Sequence, residues 1–399
     1  MNYLKYFILI LIIGLVPLIT CQNRQEDLPV NLSHALHLVD SLKVENNTFA
    51  YIRIYADYPD YEPVKDPDEG IACVDDVGRF MEVLQIAIMN YNRRDLLPLL
   101  RRMTRFILYM EEEGKWYNFI YENGEINKAH INSKLDFSFW AVRALRGLAA
   151  SYIVLKEMDA NSPLLNMVKQ AIVRAEKHYQ GNALKSGEKP IYLLKNAPDM
   201  TSELLLALIK LHNTGDFNYY PEINKISRSL MDQQFINPES ALNGMYFCWK
   251  NIWHSWGNNQ ALALLRAYQI TKDDRILTSL NKWANNFIEF IIENNFPAEV
   301  KIKDGNNYSL ATYPQIAYGI TSMYRAMQEL YKLTGQEKHK ARAGRIFAWF
   351  QGKNIANVQM YGPQTGRCYD GINKNEVNKN SGAESTIECL LAILARGKF

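Results

Sequence analysis

The chain has 399 residues, of which 48% are apolar and 22% are charged, a composition typical of an ordinary globular protein. Its 45 lysines and arginines nearly balance 42 aspartates and glutamates, giving a formal charge of +3. Nucleic-acid-binding domains usually carry a strongly basic face, so we expect no nucleic-acid partner. The 24 tyrosines and 7 tryptophans fit either a large aromatic core or a cleft in which sugars stack on aromatic rings.

Residues 1–20 have the pattern of a secretory signal peptide, with Lys5 before an apolar run over 6–16. This run is shorter than the roughly 20 residues of a membrane-spanning helix. The segment LITC ends at Cys21 and resembles the lipoprotein box of bacteria, which predicts cleavage before Cys21, lipidation of that cysteine and a polar tether over 21–30. We therefore expect an extracytoplasmic protein whose only membrane contact is its lipid anchor; the alternative is an uncleaved anchor.

From residue 31 onward, two kinds of predicted helix alternate. The first kind is amphipathic, with apolar residues at helical spacing and lysines or arginines between them. We expect these helices to form an outer layer, and they cover 31–43, 93–110, 162–179, 220–235, 273–291 and 339–351.

The second kind is rich in alanine and leucine and nearly apolar throughout, which predicts burial on all sides. These inner helices begin near Asp76, Asp136, Ser202, Asn258, Gln315 and Ala383, at intervals of 56 to 68 residues. A repeat of this length, two helices with their loops, indicates a repeat architecture. An open solenoid would need polar capping repeats at each end, and none is recognised in the sequence. The twelve helices therefore predict a closed ring, an all-α (α/α)6 toroid forming one domain over 31–399.

The connections before the inner helices are long, whereas those on the other side are short. The long ones cover 57–74, 114–135, 243–257 and 359–382. Long loops held by a rigid scaffold are where functional sites usually lie. The site is therefore expected at the end of the ring where the inner helices begin.

Carboxylates are predicted at the starts of four inner helices: Asp75 or Asp76, Asp136, Glu203 and Glu384. Singly, each is explained as a helix cap. Gathered at one end of an apolar channel, they would repel one another, and burial would raise the pKa of at least one. Glycoside cleavage needs one protonated and one ionised carboxyl. We expect Asp76 and Glu384 to form the catalytic pair, because the first and last inner helices meet when the ring closes; Asp75 competes with Asp76, and acid and base stay unassigned.

Aromatic and polar residues in the same loops are candidate substrate contacts, although loop packing explains them equally well. They are Trp116, Tyr117, His254, Trp256, Asn258, Tyr313, Gln315 and Asp370. No motif for a metal, nucleotide or redox cofactor is recognised in the sequence, so no cofactor or metal is expected.

Five segments carry a resemblance: CVDDVGR (73–79), GKWYNFIYENG (114–124), LDFSFWAVRALRGLA (135–149), WGNNQALALLRAY (256–268) and NSGAESTIECLLAIL (380–394). In these the chain resembles the six-hairpin glycosidase-like superfamily, especially the helical toroid domain attached to some bacterial glycosyltransferases. The resemblance implies the toroid fold and action on carbohydrate. The last segment is also similar to the closing helix of family 9 glycoside hydrolases, which implies that Glu384 is a proton donor.

Three functions stay open. The first is an inverting glycoside hydrolase that acts on an extracytoplasmic oligo- or polysaccharide, with catalytic carboxyls about 6.5–9.5 Å apart. The second is a polysaccharide lyase that uses His254, Tyr313 and Arg367. The third is a non-catalytic glycan-binding lipoprotein. A carbohydrate is the expected partner in each, and the sequence does not specify the sugar, the linkage or the oligomeric state.

Overall fold

The structure is a computed structural model that describes residues 27–45, 47–179, 184–186 and 189–396. The predicted signal peptide, Cys21 and most of the tether lie outside the described residues. The helices are α1 Ser33–His37, α2 Val74–Tyr91, α3 Leu97–Tyr109, α4 Phe139–Met158, α5 Pro163–Glu176, α6 Pro198–His212, α7 Tyr220–Met231, α8 Gln260–Thr271, α9 Asp274–Lys282, α10 Ile288–Glu293, α11 Ala317–Thr334, α12 Glu337–Phe347 and α13 Ala383–Arg396. A π-helical turn over Trp283–Phe287 joins α9 to α10.

Within the described part of the chain, six helices form a closed inner ring. Each of α2, α4, α6, α8, α11 and α13 contacts the next, and α13 returns to contact α2. The observed helices begin within four residues of the predicted inner positions. The predicted (α/α)6 toroid is therefore confirmed.

The outer layer follows the predicted amphipathic segments except at its first member. Helices α3, α5, α7, α9 with α10, and α12 lie outside the ring, each packed against an inner neighbour or the preceding outer helix. The predicted helix over 31–43 is wrong, because α1 ends at His37 and the chain then forms a β-hairpin. In the second strand of this hairpin, residues Phe49–Ile52 are buried, and the strand packs on α3. Aromatic and β-branched side chains of this strand therefore occupy the place expected for the end of the helix.

Short strands occupy the loops. They are β1 Val39–Val44, β2 Asn47–Ile52, β3 Tyr55–Ala56, β4 Pro63–Val64, β5 Ala72–Cys73, β6 Glu111–Glu112, β7 Lys115–Trp116, β8 Phe119–Ile120, β9 Leu184–Ser186, β10 Lys189–Ile191, β11 Ile252–His254, β12 Glu299–Asp304, β13 Asn307–Ala311, β14 Gln315–Ile316, β15 Tyr361–Gly362, β16 Arg367–Cys368, β17 Gly371–Ile372 and β18 Val377–Asn378. All pairings are antiparallel, and the β5–β8 and β14–β17–β18 ladders stand over the N-terminal ends of α2 and α11. No described helix meets the length and hydropathy needed to cross a membrane.

The closest approach within the ring is between α2 and α4, through Gly78 and Gly147. A β-carbon at Gly78 would lie 2.4 Å from the carbonyl oxygen of Arg143, and one at Gly147 would lie 2.8 Å from Cα of Gly78. Both distances are shorter than van der Waals contact, so only glycine allows this packing. As a consequence, Arg79 on α2 lies close to the arginines of α4.

We expect Gly78→Ala to lower the free energy of unfolding by about 1–3 kcal/mol, because the added methyl forces α2 and α4 apart. Gly344→Ala on α12 is the matched control. No atom lies within 4 Å of the added methyl there, so higher helix propensity should raise stability by up to about 1 kcal/mol. Urea unfolding measures both changes, and equal effects at the two sites would contradict the close-packing account.

Candidate active site

A cavity of about 380 Å³ opens where α13 meets α2, at the loop-rich end of the ring. Asp75, Asp76, Asp370 and Glu384 line it, together with Ser385 and residues of the short strands. The closing of the ring therefore brings the two acids predicted as a pair, Asp76 and Glu384, to one cavity. Asp75 and Asp370 border the same space.

Asp76 is held at the first turn of α2 and is almost completely buried. The Cys73 sulfur caps the helix by accepting a hydrogen bond from the Asp76 backbone N–H at 3.4 Å. Burial raises the pKa of Asp76 to about 7, against the opposing effect of Arg79; the nearby Asp75 and Glu384 carboxylates raise the pKa further. Asp76 can therefore hold a proton near neutral pH.

Arg79 is the cation around which the carboxylates gather. Its Nη1 lies 2.7 Å from Oε2 of Glu384 and 3.6 Å from Oδ1 of Asp76, while its Nε lies 3.0 Å from Oδ1 of Asp75. Its Nε is also 3.8 Å from Oε1 of Glu388 on the next turn of α13. The buried guanidinium thus joins α2 to α13 and fixes the positions of four carboxyl groups.

Arg143 on α4 extends this network across the ring. It forms an ion pair with Asp75 and donates from Nη2 to the Tyr318 hydroxyl at 2.5 Å. The Tyr318 hydroxyl in turn donates to Oε1 of Glu203 at 2.9 Å. Arg143 therefore connects the cavity wall to the centre of the ring.

Two of the predicted catalytic acids lie elsewhere. Glu203 lies in the second turn of α6 and is fully buried, where it forms an ion pair with Arg146 and accepts from Asn259 at 2.7 Å. Burial alone would raise the pKa of Glu203, but the charge of Arg146 is the largest opposing effect, and the pKa is lowered. Asp136 precedes α4, is partly exposed and pairs with Lys195 outside the cavity. Neither residue lines the cavity, so a catalytic role for either is not supported by its position.

The expectation of an apolar channel is also wrong. Ion pairs fill the ring axis below the cavity, with Glu82 bound by Arg146 at 2.8 and 2.9 Å. These residues interrupt helices that otherwise read as apolar. A side chain such as Arg146 satisfies its charge only across the ring, so the sequence of one helix does not reveal the partner.

His254 and Trp256 lie beside one another just before the start of α8, at the loop-rich end of the ring. Their rings stack at 4.5 Å, and Nε2 of His254 lies 3.2 Å from Oδ2 of Asp199 at the start of α6. Trp256 is 39% exposed. A β-carbon at Gly257 would lie 3.8 Å from Cε1 of His254 and 3.7 Å from the Tyr318 hydroxyl, so the imidazole and the phenol border the same space.

Three other residues predicted as substrate contacts are buried. Trp116 is fully buried and its Nε1 donates to the Ile107 carbonyl at 3.0 Å, so its ring cannot meet a substrate. Gln315 is buried between the Asn295 carbonyl and Nε1 of Trp349. Asn258 is buried and donates to the Ser255 and Gly319 carbonyls. Substrate contact by these three residues stays a prediction that their burial does not favour, because loop position in the sequence does not distinguish buried turns from exposed ones.

Tyr117 and Tyr313 are partly buried against the core, and Lys128 lies 5.1 Å from the Tyr117 ring. Asp370 lies at the cavity as expected. Burial raises its pKa, and it accepts hydrogen bonds from the Ser385 hydroxyl at 2.5 Å and the Gly382 N–H at 2.9 Å.

The site residues that the sequence did not indicate are Arg79, Arg143 and Ser385. One signal was available: Arg79 follows Asp75 by four residues, and Arg143 and Arg146 are charged residues within a nearly apolar helix. Among the described residues, no group of three or more histidines, cysteines or acids is arranged to hold a metal ion.

The pKa of Asp76 has a consequence for stability. In the unfolded chain its pKa is near 3.8 and in the folded protein it is about 7, so between these values the folded state binds the proton more tightly. The free energy of unfolding therefore falls as pH rises from about 4 to about 7. Above about pH 7, Asp76 causes no further loss of stability.

We expect Asp76→Asn to remove this part of the pH dependence. Urea unfolding at pH 4 to 8 should give a difference in stability between wild type and Asp76→Asn that changes across the interval. Asp136→Asn, at a partly exposed acid, serves as the control. The pKa of Glu388 is also raised by burial to about 7, so its contribution is present in both proteins and cancels. A constant difference would contradict the raised pKa of Asp76.

No model of a protein family and no curated protein matches the sequence. Solved structures do match the fold. Cellobiose 2-epimerase from Bacillus thermoamylovorans is 13% identical with a TM-score of 0.67, covering 92% of this chain and 96% of its own. A family 76 glycoside hydrolase from a bovine Bacteroides thetaiotaomicron strain is 15% identical with a TM-score of 0.54, covering 91% and 76%.

A third match is an inactive variant of an α-1,6-mannanase from Salegentibacter sp. HEL1_6, in complex with α-1,6-mannotetrose. Two consecutive aspartates are replaced by alanine in that variant. It is 12% identical with a TM-score of 0.50, covering 80% of this chain and 98% of its own. These proteins and this chain share the (α/α)6 toroid fold.

Proposed function

We propose that the protein is a glycoside hydrolase that acts on an extracytoplasmic oligo- or polysaccharide, held at the membrane by lipidated Cys21. The observation that carries the proposal is the pairing in one cavity of two unlike carboxyls. Asp76 is buried with a pKa raised to about 7, and Glu384 is a solvent-accessible carboxylate ion-paired with Arg79. Two carboxyl groups in different environments are what acid and base roles require.

In this proposal Asp76 donates a proton to the glycosidic oxygen, and Glu384 removes a proton from the attacking water. The side chain of Glu384 is 43% exposed, so water reaches it, and its Oε2 lies 2.7 Å from Nη1 of Arg79. This reverses the role that the resemblance to family 9 hydrolases implied for Glu384. The Asp75 carboxylate, which contacts Arg79 and Arg143, would stabilise the positive charge that develops on the sugar.

The spacing of the pair bears on stereochemistry. Oδ1 of Asp76 and Oε2 of Glu384 are 3.6 Å and 2.7 Å from the same nitrogen of Arg79, so their separation cannot exceed these two distances combined. That limit lies just below the roughly 6.5–9.5 Å of inverting enzymes and also admits the roughly 5–5.5 Å of retaining ones, so the spacing alone does not favour inversion. We keep inversion as the proposal; NMR of the first anomer released tests it.

The related structures support this choice of chemistry. The inactive α-1,6-mannanase variant lacks two consecutive aspartates, and Asp75 and Asp76 are consecutive aspartates at this cavity. A chain of α-1,6-linked mannose is therefore the first substrate to try. Trp256, exposed at the mouth beside His254, offers a ring on which a sugar face can stack.

We expect Asp76→Asn and Glu384→Gln each to lower turnover by about 10²- to 10⁴-fold, the usual contribution of a general acid or base. The assay measures reducing ends released from a panel of glycans that includes α-1,6-mannan, with the protein from Gln22 onward. Asp136→Asn is the matched control, since it also replaces an aspartate by asparagine at the same end of the ring, but outside the cavity.

The proposal fails if the two variants fold and retain wild-type turnover, or if Asp136→Asn is equally damaging. A wild-type protein that binds glycans but turns over none would favour the non-catalytic alternative. A product absorbing in the near ultraviolet would indicate a lyase. For that alternative, Arg367 is already engaged, with its guanidinium 4.1 Å from the Tyr61 ring.

A second candidate is a sugar epimerase or isomerase. The observation that favours it is His254, which pairs with Asp199 and borders the same space as Tyr318. Proton abstraction next to a sugar carbonyl needs such a base. Cellobiose 2-epimerase from Bacillus thermoamylovorans shares the fold.

Turnover in D2O distinguishes the two functions. An epimerase or isomerase would incorporate solvent deuterium at the carbon beside the carbonyl without releasing new reducing ends. We expect no deuterium incorporation by the wild type. His254→Asn should lose no more than tenfold in hydrolysis, because His254 does not line the cavity that holds Asp76 and Glu384. Deuterium incorporation that His254→Asn abolishes would replace the hydrolase proposal.

A further inference from the structure

A second cavity, of about 500 Å³, lies at the opposite end of the ring, where the inner helices end. Its wall includes Asn90 near the end of α2, Arg266 on α8 and Leu394 on α13. Arg325, Glu329 and Lys332 contribute from α11. This cavity is separated from the acidic cavity by the ion pairs of the ring axis, so it is a distinct space with its own charge.

Arg325 is the residue that distinguishes this cavity. It is 6% exposed, and within the described chain no acceptor lies in hydrogen-bond contact with its buried Nε. Oε2 of Glu82 is 3.9 Å from Nη2 of Arg325, beyond hydrogen-bond distance. A buried donor without a partner requires an explanation, and an ion or water in the adjoining space is a usual one.

The neighbouring carboxylates are already bound by other cations. Glu82 accepts from Nε and Nη2 of Arg146 at 2.8 and 2.9 Å, and Lys210 lies 3.4 Å away. Glu329 accepts from Nε of Arg266 at 3.1 and 3.2 Å. Arg325 therefore has no hydrogen-bonded carboxylate, since these carboxylates are held more closely by other cations, and arginine does not lose its proton in proteins. A water molecule would satisfy Nε–H but would add no negative charge.

We propose that this cavity binds a small oxyanion, a carboxylate or a phosphoryl group, through the guanidinium of Arg325. The planar guanidinium donates two parallel hydrogen bonds to such groups. Lys332 lies at the rim, where its Nζ donates to the Ala395 carbonyl at 3.3 Å and adds positive charge. The site is independent of the proposed hydrolase activity.

Isothermal titration calorimetry of the full chain tests the site, with inorganic phosphate and acetate titrated separately at constant ionic strength in chloride. We expect saturable binding at one site per chain. Arg325→Gln should weaken it at least tenfold, and Arg325→Lys should also weaken it, because an ammonium lacks the two-pronged geometry. Lys338→Gln is the matched control: it removes one positive charge from the exposed surface of α12 and should leave affinity within twofold of wild type.

Glu329→Gln gives a test in the other direction. It removes the carboxylate that shares the cavity and frees Arg266, so anion affinity should rise severalfold, a change that a purely structural role for these residues would not produce. Binding of only one of the two anions would support the site and identify the group. Absence of saturable binding of either anion, or equal affinity in wild type and a folded Arg325→Gln variant, would overturn the proposal.

Discussion

The pairing of buried arginines with buried carboxylates along the ring axis is the interaction on which the rest of this structure depends. Arg79, Arg143 and Arg146 each contact carboxylates on a different helix, so the charges join α2, α4, α6 and α13. Removing one member of such a pair typically costs about 3–5 kcal/mol, because its partner is left charged and buried. Burial of apolar surface brings the helices together, and these charges link neighbouring helices across the ring. The cavity lined by Asp76 and Glu384 lies where this network reaches the loop-rich end of the ring.

The sequence was sufficient for the architecture because the fold repeats. An apolar helix recurs every 56 to 68 residues, and each repeat supports the interpretation of the next. The prediction was wrong at 31–43, where one amphipathic-looking segment had no repeat to test it and instead forms α1 and the start of a hairpin. The boundaries of α2 and α13, with acids at their starts, were close enough to place Asp76 and Glu384 at one end of the ring.

The site could be predicted only in part, because its energetics depend on contacts across the ring. Which helices are neighbours follows from the repeat, so the meeting of Asp76 and Glu384 was accessible. That Arg79 lies between them depends on the rotation of α2, which Gly78 and Gly147 set by close contact. Trp116 and Trp256 are both loop tryptophans in the sequence, yet one is fully buried and the other exposed. Only the packed loops distinguish them.

The cavity is assembled from segments that are far apart along the chain. Arg79 and Glu384 are separated by 305 residues, and backbone hydrogen bonds join Ile54 and Ala56 to Ala383 and Ser381 beside them. Contacts of such long range form late in folding, since the entropy of closing so large a loop must be overcome first. A partly folded chain can therefore contain most of its helices and have no acid pair. The acid pair is therefore a property of the closed ring, acquired in the same step that completes it.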